Sequence, residues 1–119
     1  MKGIIVIGHG SRSKEAQAQF MNTVDMVRRK VDHPVEGCFM ELAEPGFEET
    51  VDKIVAEGAT EIVVYPLFLF AGIHIKEDVP QLIEEKLTRL QGVTMKMLKP
   101  LGDREEIADL VVAGVLKNE

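Results

Sequence analysis

A flavodoxin-like α/β fold, a three-layer sandwich around a four-stranded parallel sheet of order 2-1-3-4, is the architecture this sequence predicts. Three observations lead there. Four short apolar runs alternate with four segments of helical periodicity along the chain. The first run, Ile4-Ile5-Val6-Ile7, contains no polar residue, as expected of a strand buried on both faces. Parallel neighbours also need helical crossovers of fixed hand, and the alternation supplies them, placing helices on both faces of the sheet. At 119 residues, with no linker, low-complexity stretch or repeat, the chain reads as one domain over residues 1–119.

The first strand ends at Gly8-His9-Gly10-Ser11. Ala16, Phe20, Val24, Val27 and Val31 then recur at intervals of three and four, predicting a helix over about residues 13–31 that Ser11 or Ser13 can cap. After His33-Pro34, Val35 to Glu41 fits a second strand, weakened by Glu36 and Gly37. The Glu44-Pro45-Gly46 turn feeds a second helix with Phe47, Val51, Ile54 and Val55 inside. Residues 61–65 form the third strand, and Pro66 ends its regular pairing ahead of Leu67-Phe68-Leu69-Phe70. Pro80 marks the first turn of a third helix, with Leu82, Ile83, Leu87 and Leu90 on one face. Met95, Met97 and Leu98 supply the fourth strand. Asp103-Arg104-Glu105-Glu106 is a capping-box pattern ahead of the stripe Ile107, Leu110, Val111 and Val115.

Composition narrows the function. Fourteen Lys and Arg against 20 Asp and Glu give a net charge of -6, which offers none of the positive field that nucleic acid requires. Aromatics are 5% with no Trp, too few for a base-stacking platform. The lone Cys38 excludes an internal disulfide, and with no signal pattern after Met1 a cytoplasmic location is expected. The apolar runs are strand-sized, so no membrane span is expected. Cys38 and most of the six methionines read as core residues, and His33 as an exposed loop histidine.

Ligands in such sheets gather outside the carboxyl ends of the strands, where the winding reverses. Strands one and three are neighbours there, so His9 and His74 can converge although they lie 65 positions apart in the chain (74 minus 9). Gly8-His9-Gly10-Ser11 matches neither GxGxxG nor GxxxxGK[ST], so no nucleotide is expected, and it is not the GxSxG nucleophile elbow. Its bland alternative is a tight turn whose histidine only bonds the backbone. His74 and Asp78 share a face if residues 74–78 are helical, and Asp78 can then orient the imidazole or simply cap the third helix. Lys76 is either a solvated cation or a contact to an anionic substrate. Glu41, beside an apolar run, can be an oxygen ligand, a general base or a surface charge, whereas Glu44 before Pro45 fits a turn. Two histidines and one carboxylate would bind a divalent metal through few ligands and leave open positions.

The combination of Gly8-His9-Gly10-Ser11-Arg12, Glu41-Leu42-Ala43-Glu44-Pro45, Pro66-Leu67-Phe68 and Gly72-Ile73-His74 through Asp78-Val79-Pro80 resembles the small sirohydrochlorin metal chelatases, class II. The resemblance runs from the first strand to Pro100-Leu101-Gly102 and implies ATP-independent insertion of a divalent metal, cobalt first and iron or nickel otherwise, into sirohydrochlorin. It implies that His9 and His74 bind the metal and that Glu41 takes part in metal handling or proton removal. Ser11 and Arg12, with Phe68 and Phe70 in the apolar loop, are the expected substrate contacts, and Lys14 and Lys76 are further candidates for its carboxylates. Larger relatives fuse two such halves around one cleft, so this chain resembles the homodimeric members, with the cleft between subunits. The competing reading is a noncatalytic metal or tetrapyrrole carrier.

Overall fold

The computed structural model describes residues 1–117. The strands are β1 (Lys2–Gly8), β2 (Val35–Phe39), β3 (Glu61–Pro66) and β4 (Thr94–Met97). They form one parallel sheet of order β2-β1-β3-β4, as predicted. The helices are α1 (Lys14–Arg28), α2 (Phe47–Ala56), α3 (Ile73–Leu87) and α4 (Glu106–Leu116), with a short 3-10 turn at Leu101–Asp103. Ile4 stands opposite Val35 on one side and Val63 on the other, which makes β1 a central strand and explains its all-apolar run.

Side-chain alternation along β1 divides the core in two. Ile5 and Ile7 point to the face covered by α2 and α3, where Val51, Ile54, Val64 and Val79 are all buried with them. Val6 points to the opposite face, where Val24 of α1, Val35, Phe20 and Val27 gather. Phe20 and Phe39 meet there with ring centroids 4.8 Å apart. Among the described residues, no helix is long and apolar enough to cross a membrane.

Three local expectations are corrected. β2 stops at Phe39, two residues before the predicted Glu41. α3 starts at Ile73, so Pro80 lies inside the helix and not in its first turn. Pro80 is exposed, so its ring lies on the solvent side of the helix. The capping box does not form. Asp103 belongs to the 3-10 turn and holds Lys76, Glu106 pairs with Arg104 at 3.1 Å, and Glu105 precedes α4 without a side-chain cap. α4 is helical as predicted, but it buries none of its residues.

Candidate metal-handling site at the carboxyl edge of the sheet

Beyond the end of β1, two backbone bonds prolong its pairing with the chain that follows β2. The Met40 amide donates to the Gly8 carbonyl at 2.9 Å, and the Glu41 amide to the His9 carbonyl at 3.2 Å. These bonds set His9 and Glu41 side by side. Gly10 has φ +113°, and a Cβ there would lie 1.8 Å from the Glu41 carbonyl oxygen, so only glycine lets the two turns touch. His9 Nε2 and Glu41 Oε2 are 3.5 Å apart, with side chains 46% and 59% exposed. A nitrogen and a carboxylate oxygen are thus paired at the mouth of the sheet, within reach of an incoming ion.

The next turn is braced by serines. Ser13 caps α1 through the Ala16 amide at 3.2 Å, while the Ser11 hydroxyl accepts from the Ser13 amide at 3.0 Å. Of the two capping candidates it is therefore Ser13 that caps. Arg12 and Lys14 beside them are exposed.

The loop after β3 supplies the apolar wall. Leu67 to Ala71 line a hollow of about 280 Å³ with His9 and Ile75. Its two aromatics divide: Phe68 is 5% exposed and belongs to the core, whereas Phe70 is 97% exposed. The path is pinned from below, where the Gly102 amide donates to the Phe68 carbonyl at 2.8 Å. A Cβ at Gly102 would lie 1.8 Å from the Leu69 carbonyl oxygen.

His74 lies in the first turn of α3, behind Gly72, and is exposed. The helix does cover residues 74–78, so His74 and Asp78 share a face, and Asp78 is too far into α3 to cap it. Asp78 instead lines a hollow of about 210 Å³ with Glu41, Gln81 and Glu85. The sequence reading passed over Gln81 and Glu85; their spacing from Asp78, three and seven residues on, is the helical-face signal that finds them. Lys76 is neither free nor merely solvated, because its Nζ lies 3.0 Å from both Asp103 carboxylate oxygens.

The structure therefore joins His9 to Glu41 but does not gather His74 with them. Among the described residues, no three His, Cys, Asp or Glu side chains are grouped closely enough to hold a metal ion. Burial pushes the Cys38 thiol up to about 12, only partly offset by its hydrogen bond with Thr50, so this cysteine is an inert core residue. Glu44 is an exposed turn residue and His33 an exposed loop residue, both as predicted.

Several known proteins are similar to this chain. The sirohydrochlorin ferrochelatase of Arabidopsis thaliana chloroplasts is 36% identical over 92% of this chain and 49% of its own length. The sirohydrochlorin cobaltochelatase of Sulfurisphaera tokodaii is 33% identical over 93% of this chain and 88% of its own. The crystal structure of the sirohydrochlorin chelatase SirB from Bacillus subtilis subspecies spizizenii in complex with cobalt superposes with a TM-score of 0.86 at 33% identity, over 98% of this chain and 50% of that one. The chain spans about half the length of several curated relatives it matches. The CbiX family model matches residues 3–118. With that match over nearly its whole length and the predicted strand order in place, the chain belongs to the CbiX family.

Proposed function

We propose that this chain is a sirohydrochlorin metal chelatase acting in the cytoplasm, built from one domain over residues 1–119, that inserts Co²⁺, or Fe²⁺ or Ni²⁺, without a nucleotide. The metal is a substrate here. The observation that carries the proposal is the His9–Glu41 pair, 3.5 Å apart and open to solvent beside an apolar hollow. Insertion of a divalent ion releases the two protons of the macrocycle's pyrrolic N–H groups, so the site needs both a donor of metal and an acceptor of protons. His9 and His74 present the ion and exchange it for the macrocycle nitrogens, while Glu41 beside His9 takes protons. Few protein ligands suit this task, because an ion held by a closed set would not be passed on.

Phe70 stands free to lie against the macrocycle, Phe68 backs the wall from the core, and Ser11, Arg12 and Lys14 border the first turn for its carboxylates. Lys76, held by Asp103, contributes less. The hollow beside His9 carries Phe70 at its rim, 97% exposed, which supports a pair of copies enclosing one cleft, each contributing one wall.

The test is anaerobic incubation of the protein with sirohydrochlorin and each of the three ions, following the absorbance change against the uncatalysed rate. Acceleration is expected, with His9→Ala and His74→Ala each lowering it about 100-fold while the fold persists. No acceleration with any ion overturns the enzyme and leaves a carrier.

A further inference from the structure

Outside α4, the large apolar side chains left in solvent gather at one end of the sheet. Met1 and Met26 apart, those among the described residues are Leu42, Leu69, Phe70 and Ile73, and all of them lie beyond the carboxyl end of a strand. A single exposed leucine is ordinary on a protein surface, whereas a group of apolar side chains around a candidate site marks a place where something docks. Leu69 and Phe70 line the hollow of His9. Leu42 comes from a different loop, the turn after β2, directly behind Glu41. It is 47% exposed and belongs to neither half of the core.

The backbone at this leucine is also out of the ordinary. Among the described residues, Leu42 alone of the non-glycine residues has a positive φ, +66°, in the left-handed region where a Cβ crowds the following carbonyl oxygen. The bonds on either side impose it. The Glu41 amide is held by the His9 carbonyl, and the Pro45 carbonyl by the Phe39 amide at 2.9 Å, so the chain must leave the β1 turn and return to its own strand with only residues 42–44 between. Glycine or asparagine adopts a left-handed conformation more readily than leucine. Turn geometry therefore does not call for a leucine here, and core packing does not either. What accounts for it is the exposed half of the side chain.

We propose that Leu42 is a specificity-determining substrate contact, a second apolar support on the far side of His9 from Phe70, which selects a broad, flat, largely apolar ring system. The strand order supplies the geometry. β1 lies between β2 and β3, with Gly8 level with Phe39 and Ile7 level with Pro66. His9 therefore emerges between the two loops, flanked by Leu42 on one side and by Leu69 and Phe70 on the other. Two strand spacings, about 10 Å, separate the flanks, a span that a tetrapyrrole ring bridges and a small carboxylate chelator does not. A ring resting on both supports presents its nitrogens to the His9–Glu41 pair between them. The left-handed backbone is what holds the side chain at this rim, and a strained residue over-determined by its surroundings is a recurrent feature of ligand sites. The inference deepens the chelatase reading and rests on it.

Spectroscopic titration of the metal-free full chain with sirohydrochlorin, beside thermal melts and steady-state insertion of Co²⁺, tests the assignment. Leu42→Gly and Leu42→Asn both accept the left-handed backbone. Each is expected to melt no earlier than the wild type, because relief of that conformation offsets the freedom added to the unfolded chain. Their dissociation constant and KM for sirohydrochlorin are expected to rise about tenfold, with kcat held within about twofold. Leu42→Met keeps an unbranched apolar side chain and is expected to bind within about threefold of the wild type. Affinity for Co²⁺ alone is expected to be the same in all four proteins, since His9 and Glu41 are untouched. Wild-type affinity for sirohydrochlorin in the Gly and Asn variants overturns the contact and leaves the chelatase standing. A fall in kcat or in Co²⁺ affinity with KM unchanged also overturns it, because Leu42 would then act through Glu41. Early melting of both variants overturns it too, since the side chain would be held for folding. A wild type that inserts no metal, yet loses sirohydrochlorin binding on these substitutions, counts against the enzyme alone. A wild type that neither binds sirohydrochlorin nor inserts metal overturns both.

Discussion

Two loops meet at the carboxyl edge of the sheet and are built in opposite ways. The turn after β1 is welded to the turn after β2 by main-chain bonds at Gly8 and His9 and by the close approach of Gly10 to Glu41. The loop after β3 is pinned near Phe68 and Leu69, yet carries Phe70 and Ile73 into solvent and hands over to α3 at an exposed His74. The first loop fixes one histidine and one carboxylate relative to each other, and the second offers an apolar surface and a second histidine that are not yet engaged. Under the proposed function, a site divided in this way has Glu41 and His9 placed in advance as proton acceptor and first ligand, while the remaining contacts form around the ligand.

Substitutions in the two loops sharpen that contrast. The largest effect is expected at the root of the second loop: Phe68→Ala removes a buried ring and should cost about 3–5 kcal/mol of stability, read by urea or thermal unfolding. If stability instead stayed at the wild-type value, the loop would not be anchored there. Gly10→Ala is expected next. A methyl aimed at the Glu41 carbonyl, on a backbone with φ +113°, must push the two turns apart. Displacement of about 1 Å between reacting groups costs about 100-fold in rate, so metal insertion should fall by that order, while Ser11→Ala, which adds no clash, should fall far less. Equal rates in the two variants would dissolve the distinction between a welded and an open loop. Phe70→Ala should do least to the fold, within about 0.5 kcal/mol, because its ring is almost fully solvated. Its expected signature is a several-fold higher KM for the macrocycle, and loss of stability comparable to that of Phe68→Ala would overturn the assignment.

The strand order was legible because it follows from strong, repeated signals, whereas the convergence expected from it was that of His9 with His74, and it is Glu41 that the structure sets beside His9. An all-apolar β1 must lie inside the sheet, and once strands one and two are neighbours their following turns adjoin. The start of α3 was not legible, since Pro80 carries a local preference for a first turn that the tertiary structure overrides by burying Val79 and Ile83 on the helix's inner face. The capping box at Asp103 failed for a similar reason: its carboxylate has a better partner in Lys76, 27 residues away in sequence, and no local pattern contains that information. Phe68 and Phe70 looked equivalent in an apolar run, and only the three-dimensional path of the loop separates the buried ring from the free one. The stripe on α4 was read correctly as helical, but periodicity says nothing about what the helix packs against.

The contact beneath the second loop has a consequence for how such a protein can change over time. Gly102 supports the loop through the main-chain atoms of Phe68 and Leu69, so the path there depends on a glycine and two carbonyls, not on the side chains at the tip. Residues 69–70 can therefore be exchanged with little penalty to folding while what they touch is altered. Ligand preference at this edge is open to selection at positions where a failed trial is cheap, whereas Gly10 and Gly102 admit almost no trial at all.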